Sequence, residues 1–224
     1  MKGFKQEDLK QLILYDDEET RSHFVDLFRK EIDTFSTALY QAYERLEQMT
    51  QRVPSNVRSA WVHAYLFNAF NNLLNSLRLS MSGLFLPAGN LMRQYGESIA
   101  MALLCCHDKI DVFDRFLNNP DKFPVQKALA IDQKKKRLLE IDHGGWEQFR
   151  EITSFFDKYS HASALALANS NKFSEPGTLI IGSGFDPDKV GAYRKEINLQ
   201  ISACRALFDT IQKTEHHLTK SNSS

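Results

Sequence analysis

Arg93 and Glu97 stand one helical turn apart in the segment from Leu91 to Cys106, which holds no other charge. A guanidinium and a carboxylate at that spacing form either an intrahelical ion pair at the rim of a core or a polar site inside a helical bundle. Further along, His161 follows Asp157 by one turn. An imidazole titrates near neutrality and serves as acid or base, and a guanidinium stabilises developing negative charge. Glu97 can orient Arg93 or share a proton with His161, so Arg93, Glu97 and His161 are the candidate catalytic residues. The plainer reading of His161 is a helix-terminal ring that satisfies nearby carbonyls and complements the helix dipole. Ser160 and Ser163 read as caps rather than nucleophiles, with Ser160 kept as a ligand or interface candidate.

These residues need helices to hold them, and the chain is helical almost throughout. Phe24, Phe28, Ile32, Phe35, Leu39, Ala42, Leu46 and Met49 recur every three or four residues, which predicts one long helix from about Asp17 to Gln51. Pro54 and Ser55 suit the start of a second, which runs to Ser82 and stops at Gly83; Pro87 opens the third, which carries Arg93. Three consecutive long helices imply antiparallel packing. On the third, Met92, Tyr95, Ile99, Ala102, Leu103 and Cys106 form an apolar stripe. Gly89, Gly96 and Ala100 form a smooth one that invites close backbone approach, so both faces are expected to be buried.

Breaks at Asn118 to Asp121 and at Pro124 precede a helix near Val125 to Glu140 and a Gly144-Gly145 stop. Trp146, Phe149, Thr153, Phe156 and Tyr159 make a further amphipathic helix. After His161 the pattern becomes irregular: Ser163 to Asn171 is small and polar, Pro176-Gly177 is a turn, and Thr178 to Gly184 reads as a short strand or an extended loop. Asp186-Pro187 caps a last helix with a stripe of Val190, Ile197, Ile201, Cys204, Phe208 and Ile211. The expected fold is all-α: one domain over 1–220, a helical bundle of long antiparallel helices with a short irregular or β-like excursion before the last helix, and a disordered tail at 221–224.

On the second helix Asn68, Asn71, Asn72 and Asn75 share one face, opposite Leu66, Phe70, Leu73, Leu74 and Leu77. An uncharged amide stripe suits an interhelical hydrogen-bond network, a wet homodimer contact or recognition of a base edge, and equally a solvated face. These four asparagines and Tyr95 join Ser160 as ligand or interface candidates. His63 reads as a core histidine with one satisfied nitrogen.

The 224 residues are 42% hydrophobic and 25% charged, enough to bury one substantial core. Twenty-eight acidic and 28 basic residues cancel, so net charge advertises neither nucleic acid nor an anionic membrane. Cys105, Cys106 and Cys204 form no disulfide framework and read as core fillers, which suits a reducing cytoplasm. The start carries no apolar run of signal-peptide length, and Ser59 to Leu77, though free of charge, is too polar to span a membrane. A di-iron bundle needs two Glu-x-x-His motifs and two further glutamates, and Glu140-Ile-Asp-His143 is a single such motif, so neither metal nor cofactor is expected. Lys134 to Arg137 and Glu215 to His217 read as solvated faces, and Gly182-Ser-Gly184 as a turn.

Leu91-Met-Arg-Gln-Tyr-Gly-Glu97 after Gly83 and Ala88, followed by Tyr159-Ser-His-Ala-Ser163, resembles a group of uncharacterised bacterial all-helical proteins distantly related to the HEPN superfamily. The resemblance spans roughly Asn68 to Phe185. It implies a helical bundle, usually dimeric, of which some members are metal-independent ribonucleases acting as toxins or in phage defence while others bind nucleotides. The superfamily's usual mark, an Arg and a later His with four to six residues between them, is met by Arg58 and His63 and by Arg137 and His143. On the resemblance, His161 would act as acid or base in RNA cleavage and Arg93 as the cation facing the phosphorane. The expected function is a helical binding or regulatory module with a buried Arg/Glu site, homodimeric, in a nucleotide, RNA or defence context. The alternative is a HEPN-like ribonuclease.

Overall fold

The computed structural model describes residues 6–14, 18–107, 112–114, 150, 154–159 and 163–220. Helices α1 (Gln6–Leu14), α2 (Glu18–Leu27), α3 (Arg29–Arg52), α4 (Val57–Met81), α5 (Phe85–Cys106), α6 (Ala164–Ser170) and α7 (Val190–Lys220) follow in order, with short 3-10 turns at Asp157–Tyr159 and Pro187–Lys189. No strand forms among the described residues, and the excursion before α7 is a loop with one isolated antiparallel bridge, Asn171 to Leu179. The helix near Val125 to Glu140, the 118–124 and 144–145 breaks, most of the Trp146 stretch and the 221–224 tail lie outside the described residues.

The α-helical starts and stops follow from side-chain chemistry. Asn56 caps α4 by accepting the Ser59 N–H at 2.9 Å. Gly83, at φ +73°, turns the chain out of α4, and its position against the Gly184 backbone leaves no room for a Cβ. Pro87 sits in the first turn of α5, where an N–H has no helical partner to lose.

Contacts along the helices give their directions. Asn68 meets Ser98 and Ser76 meets the Ala88 carbonyl, so α4 and α5 run antiparallel; Tyr43 meets Phe70 across the short 53–56 connection, which makes α3 and α4 antiparallel too. The last helix departs from that pattern. Glu31 and Met49 meet Arg194 and Thr214, and Tyr95 meets Ala203, so α7 runs parallel to both α3 and α5. The start of α7 lies at the end of the bundle where α5 begins, with the Phe85 and Tyr193 rings stacked 4.6 Å apart.

Two expectations are corrected locally. The first long helix breaks at Phe28 (φ −114°, ψ 21°) into α2 and α3. Bending there keeps Phe28 in the core while Phe24 reaches Phe85, Phe185 and Tyr193, with ring centroids 5.5, 5.2 and 5.0 Å away. The stretch after Ser163 is not irregular but the two-turn α6, capped by the Ser163 hydroxyl on the Ala166 N–H at 3.2 Å.

Gly89 makes the close approach that its stripe promised, to an aromatic ring rather than to a backbone. A Cβ at Gly89 would lie 2.7 Å from Tyr159 Cβ and 2.8 Å from its Cδ1. Gly89→Ala is therefore expected to cost about 1–3 kcal/mol in thermal or urea unfolding through overpacking. Adding Tyr159→Ala should make the second substitution less costly than it is alone; strictly additive losses would show that the two residues do not meet.

Candidate functional site

Arg93 projects from the middle of α5 toward the 3-10 turn Asp157–Tyr159. Its Nε lies 3.3 Å from Glu97 Oε1 and 3.5 Å from Asp157 Oδ1. The Arg93 and Glu97 side chains are 30% and 29% exposed, so the pair is a rim feature and not a buried site. The smooth stripe covers it on one side only, because Tyr159 packs on Gly89 one turn earlier and leaves the guanidinium at the edge. His161 and Ser160, two and one residues beyond Tyr159, lie outside the described residues. The structure thus brings Arg93 and Glu97 together with Asp157, a residue sequence reasoning had placed beside His161.

A half-exposed ion pair with a spare carboxylate contributes little. Glu97→Ala is expected to shift the urea-unfolding free energy by less than about 1 kcal/mol, since Asp157 still faces Arg93. Replacing Arg93 and Glu97 together by methionine and leucine should be neutral within about 1 kcal/mol. A loss of several kcal/mol from Glu97→Ala would restore the buried-site reading.

Beneath this rim lies a carboxyl that sequence reasoning missed. The Tyr159 hydroxyl donates to Glu196 Oε1, and both side chains are buried. Burial pushes the Glu196 carboxyl up from its ordinary 4.5 to about 8. The available signal was periodicity: Tyr193, Glu196, Ile197, Gln200 and Ile201 share the buried stripe of α7. Gln200 sits on that stripe one turn later and donates to the Ser76 and Ser80 hydroxyls at 3.1 and 3.0 Å, which ties α7 to α4.

The asparagine stripe divides. Asn68 donates to the Ser98 hydroxyl at 2.8 Å, and Asn72 is buried with an Nδ2 that finds no acceptor. Asn71 is half-buried, while Asn75 is exposed and accepts from Arg78 at 3.5 Å. Tyr95 is an interhelical tie: its hydroxyl, fully buried, donates to the Ala203 carbonyl at 2.8 Å, and burial raises its pKa.

The Arg58 and His63 spacing does not build a site. Arg58 donates to the carbonyls of Cys105 and His107 at 2.9 and 3.3 Å, closing the end of α5, and stacks over Phe113. His63 is half-buried rather than core and faces α3 in a cleft with Tyr43, Leu46, Glu47, Thr50 and Phe67. Burial lowers its pKa, and so favours the neutral ring. Arg137, His143 and the Lys134 to Arg137 run lie outside the described residues. Glu215, read as part of a solvated helix end, is instead buried between Arg45 and Arg52 of α3, at 2.5 and 3.5 Å, because α7 packs along α3 to its last turns. The three cysteines are buried and free, and burial raises the thiols of Cys105 and Cys106 to about 12.

Between α2–α3 and α4 runs an open groove of about 620 Å³, with Ile32, Phe35, Leu39, Leu74, Leu77 and Met81 among its walls. Among the described residues no helix is long and apolar enough to cross a membrane, and no group of His, Cys, Asp and Glu has the form of a metal site. Comparisons with protein-family models, with curated proteins and with solved structures each find no match.

Proposed function

We propose that the chain is a helical binding or regulatory module rather than a metal-independent ribonuclease. The observation that supports this is the charge around Arg93. One guanidinium faces two carboxylates, Glu97 and Asp157, so a phosphate would have to compete with both for it. The buried tie from Tyr159 to Glu196 is built to hold the 154–159 turn against the bundle. A homodimer in the cytoplasm belongs to the same reading, and exposed Phe67 beside Asn68 on α4 supports a contact there. Nucleotide or RNA would then be a ligand, not a substrate.

The second reading, a HEPN-like ribonuclease acting as toxin or phage-defence effector, is favoured by Glu196. Burial keeps that carboxyl protonated at neutral pH, the form a general acid needs, and the Asp157–Tyr159 turn that covers it would have to open to admit RNA.

Incubation of mixed single-stranded RNA with the protein in EDTA decides between them. No cleavage above buffer is expected from wild type, Arg93→Ala or His161→Ala at matched folded concentration. Wild-type cleavage that both variants lose would overturn the binding reading.

A further inference from the structure

On the binding-module reading on which it rests, we propose that the groove between α2–α3 and α4 is a ligand site for a single-chain amphiphile with an anionic head group. The groove is lined almost wholly by apolar side chains, and its volume, about 620 Å³, lies within the range of small-molecule sites. Its length is set by α4: from Phe70 to Met81 the helix rises roughly 16 Å at 1.5 Å per residue. Tyr43 closes the Phe70 end, with ring centroids 5.7 Å apart, and commits its hydroxyl to Glu47.

The other end is cationic. Arg21 of α2 and Arg78 of α4 both line the groove, and the Arg21 guanidinium donates at 3.1 Å to the hydroxyl of Ser82, one turn beyond Arg78. Neither arginine has a carboxylate partner among the described residues. Arg78 reaches only the Asn75 amide oxygen at 3.5 Å, and the Nε of Arg21 is buried without an acceptor. Arg78, exposed and without a carboxylate partner among the described residues, can donate charge-assisted hydrogen bonds to an anionic head group. Polar groups gathered at one end of an apolar trough match a carboxylate or phosphate head with an alkyl tail lying along Leu77, Leu74 and Leu39.

The test is a titration of the full chain with dodecanoate and dodecyl phosphate below their micelle concentrations, against dodecyltrimethylammonium and phosphatidylglycerol vesicles. The expected result is one-to-one binding of both anions, at least tenfold weaker binding of the cation, and at least a tenfold loss for the anions in Arg78→Glu. Arg78 is exposed, so that variant should keep its helical circular dichroism, and Leu74→Trp, which fills the groove, should lose binding as well. Equal affinity for the cation, no loss in Arg78→Glu, no anion binding, or binding to vesicles alone would overturn the proposal. So would a dimer in sedimentation equilibrium that Leu74→Trp dissociates, because the groove would then be an interface between copies. If neither amphiphile binding nor RNA cleavage is seen, the amphiphile site fails while the binding module stands. RNA cleavage lost in Arg93→Ala removes the module reading itself.

Discussion

Asp186→Ala is expected to destabilise the protein by about 3–5 kcal/mol, the cost of leaving a buried charge without its partner. Asp186 is 0% exposed, in the loop just before α7. Its carboxylate accepts the N–H groups of Phe173, Ser174 and Asp188 at 2.6, 3.3 and 3.2 Å and lies 3.7 Å from the ammonium of Lys189. Lys189 is buried too, and donates to the carbonyls of Ala168 at 2.8 Å and of Asn171, which close α6. One ion pair thus fastens α6 and the 171–180 loop to the start of α7. Alanine would strand Lys189 among carbonyls and free three N–H groups, whereas Asp186→Asn keeps an acceptor and should lose about half as much. Urea unfolding measures the total, and hydrogen exchange should show residues 171–180 opening first; a loss under about 1 kcal/mol for alanine would show that water already solvates the site. Burial by itself raises the Asp186 carboxyl, but the N–H donors and Ser174 outweigh it and hold the group below its ordinary value. Its contribution is therefore complete above the ordinary aspartate range and is lost as pH falls through the folded value.

How much of this was legible depended on period and on whether neighbours in space were also neighbours in sequence. Helices α3, α4 and α5 were readable because their apolar residues recur at helical spacing and Gly83 and Pro87 mark the ends. The break at Phe28 was not, since both flanks keep the same stripe and only the tertiary demand of Phe85, Phe185 and Tyr193 on Phe24 bends the chain. Helix α6 was hidden by its brevity and its small residues, although Ser163 at its head was a visible cap signal. The i,i+4 pair of Arg93 with Glu97 was legible as local geometry; its third member, Asp157, comes from a segment more than sixty residues away. The ion pairs of Arg45 and Arg52 with Glu215 were illegible for the same reason, and so was the groove, which belongs to no single helix. The asparagine face was noticed but not its division, because burial of Asn72 depends on where α5 lies.

The complementary prediction concerns base rather than acid. Glu196→Gln is expected to leave stability at pH 5 within about 1 kcal/mol of wild type and to raise it by about 3–5 kcal/mol at pH 8. In the folded chain the carboxyl keeps its proton to about 8, while the unfolded chain releases it near 4.5. Between those values the unfolded state binds fewer protons than the folded one, so stability falls as pH rises. Glutamine cannot ionise, yet its amide oxygen still accepts the Tyr159 hydroxyl, so the variant removes the titration and keeps the tie. Urea midpoints across pH 5 to 8 should therefore slope downward in wild type and be flatter in the variant by that amount. Parallel curves would show that Glu196 ionises normally, and that its burial beneath Tyr159 is opened by solvent. Glu196 and Asp186 act from opposite ends of the same connection, one weakening the fold as pH rises and the other as it falls. Together they place the firmest seating of the 154–159 turn and the 163–189 segment on the bundle in mild acid. The Arg93 rim, which sits on the Asp157–Tyr159 turn, should loosen first on the alkaline side, and loss of Tyr159 protection before global unfolding would show it.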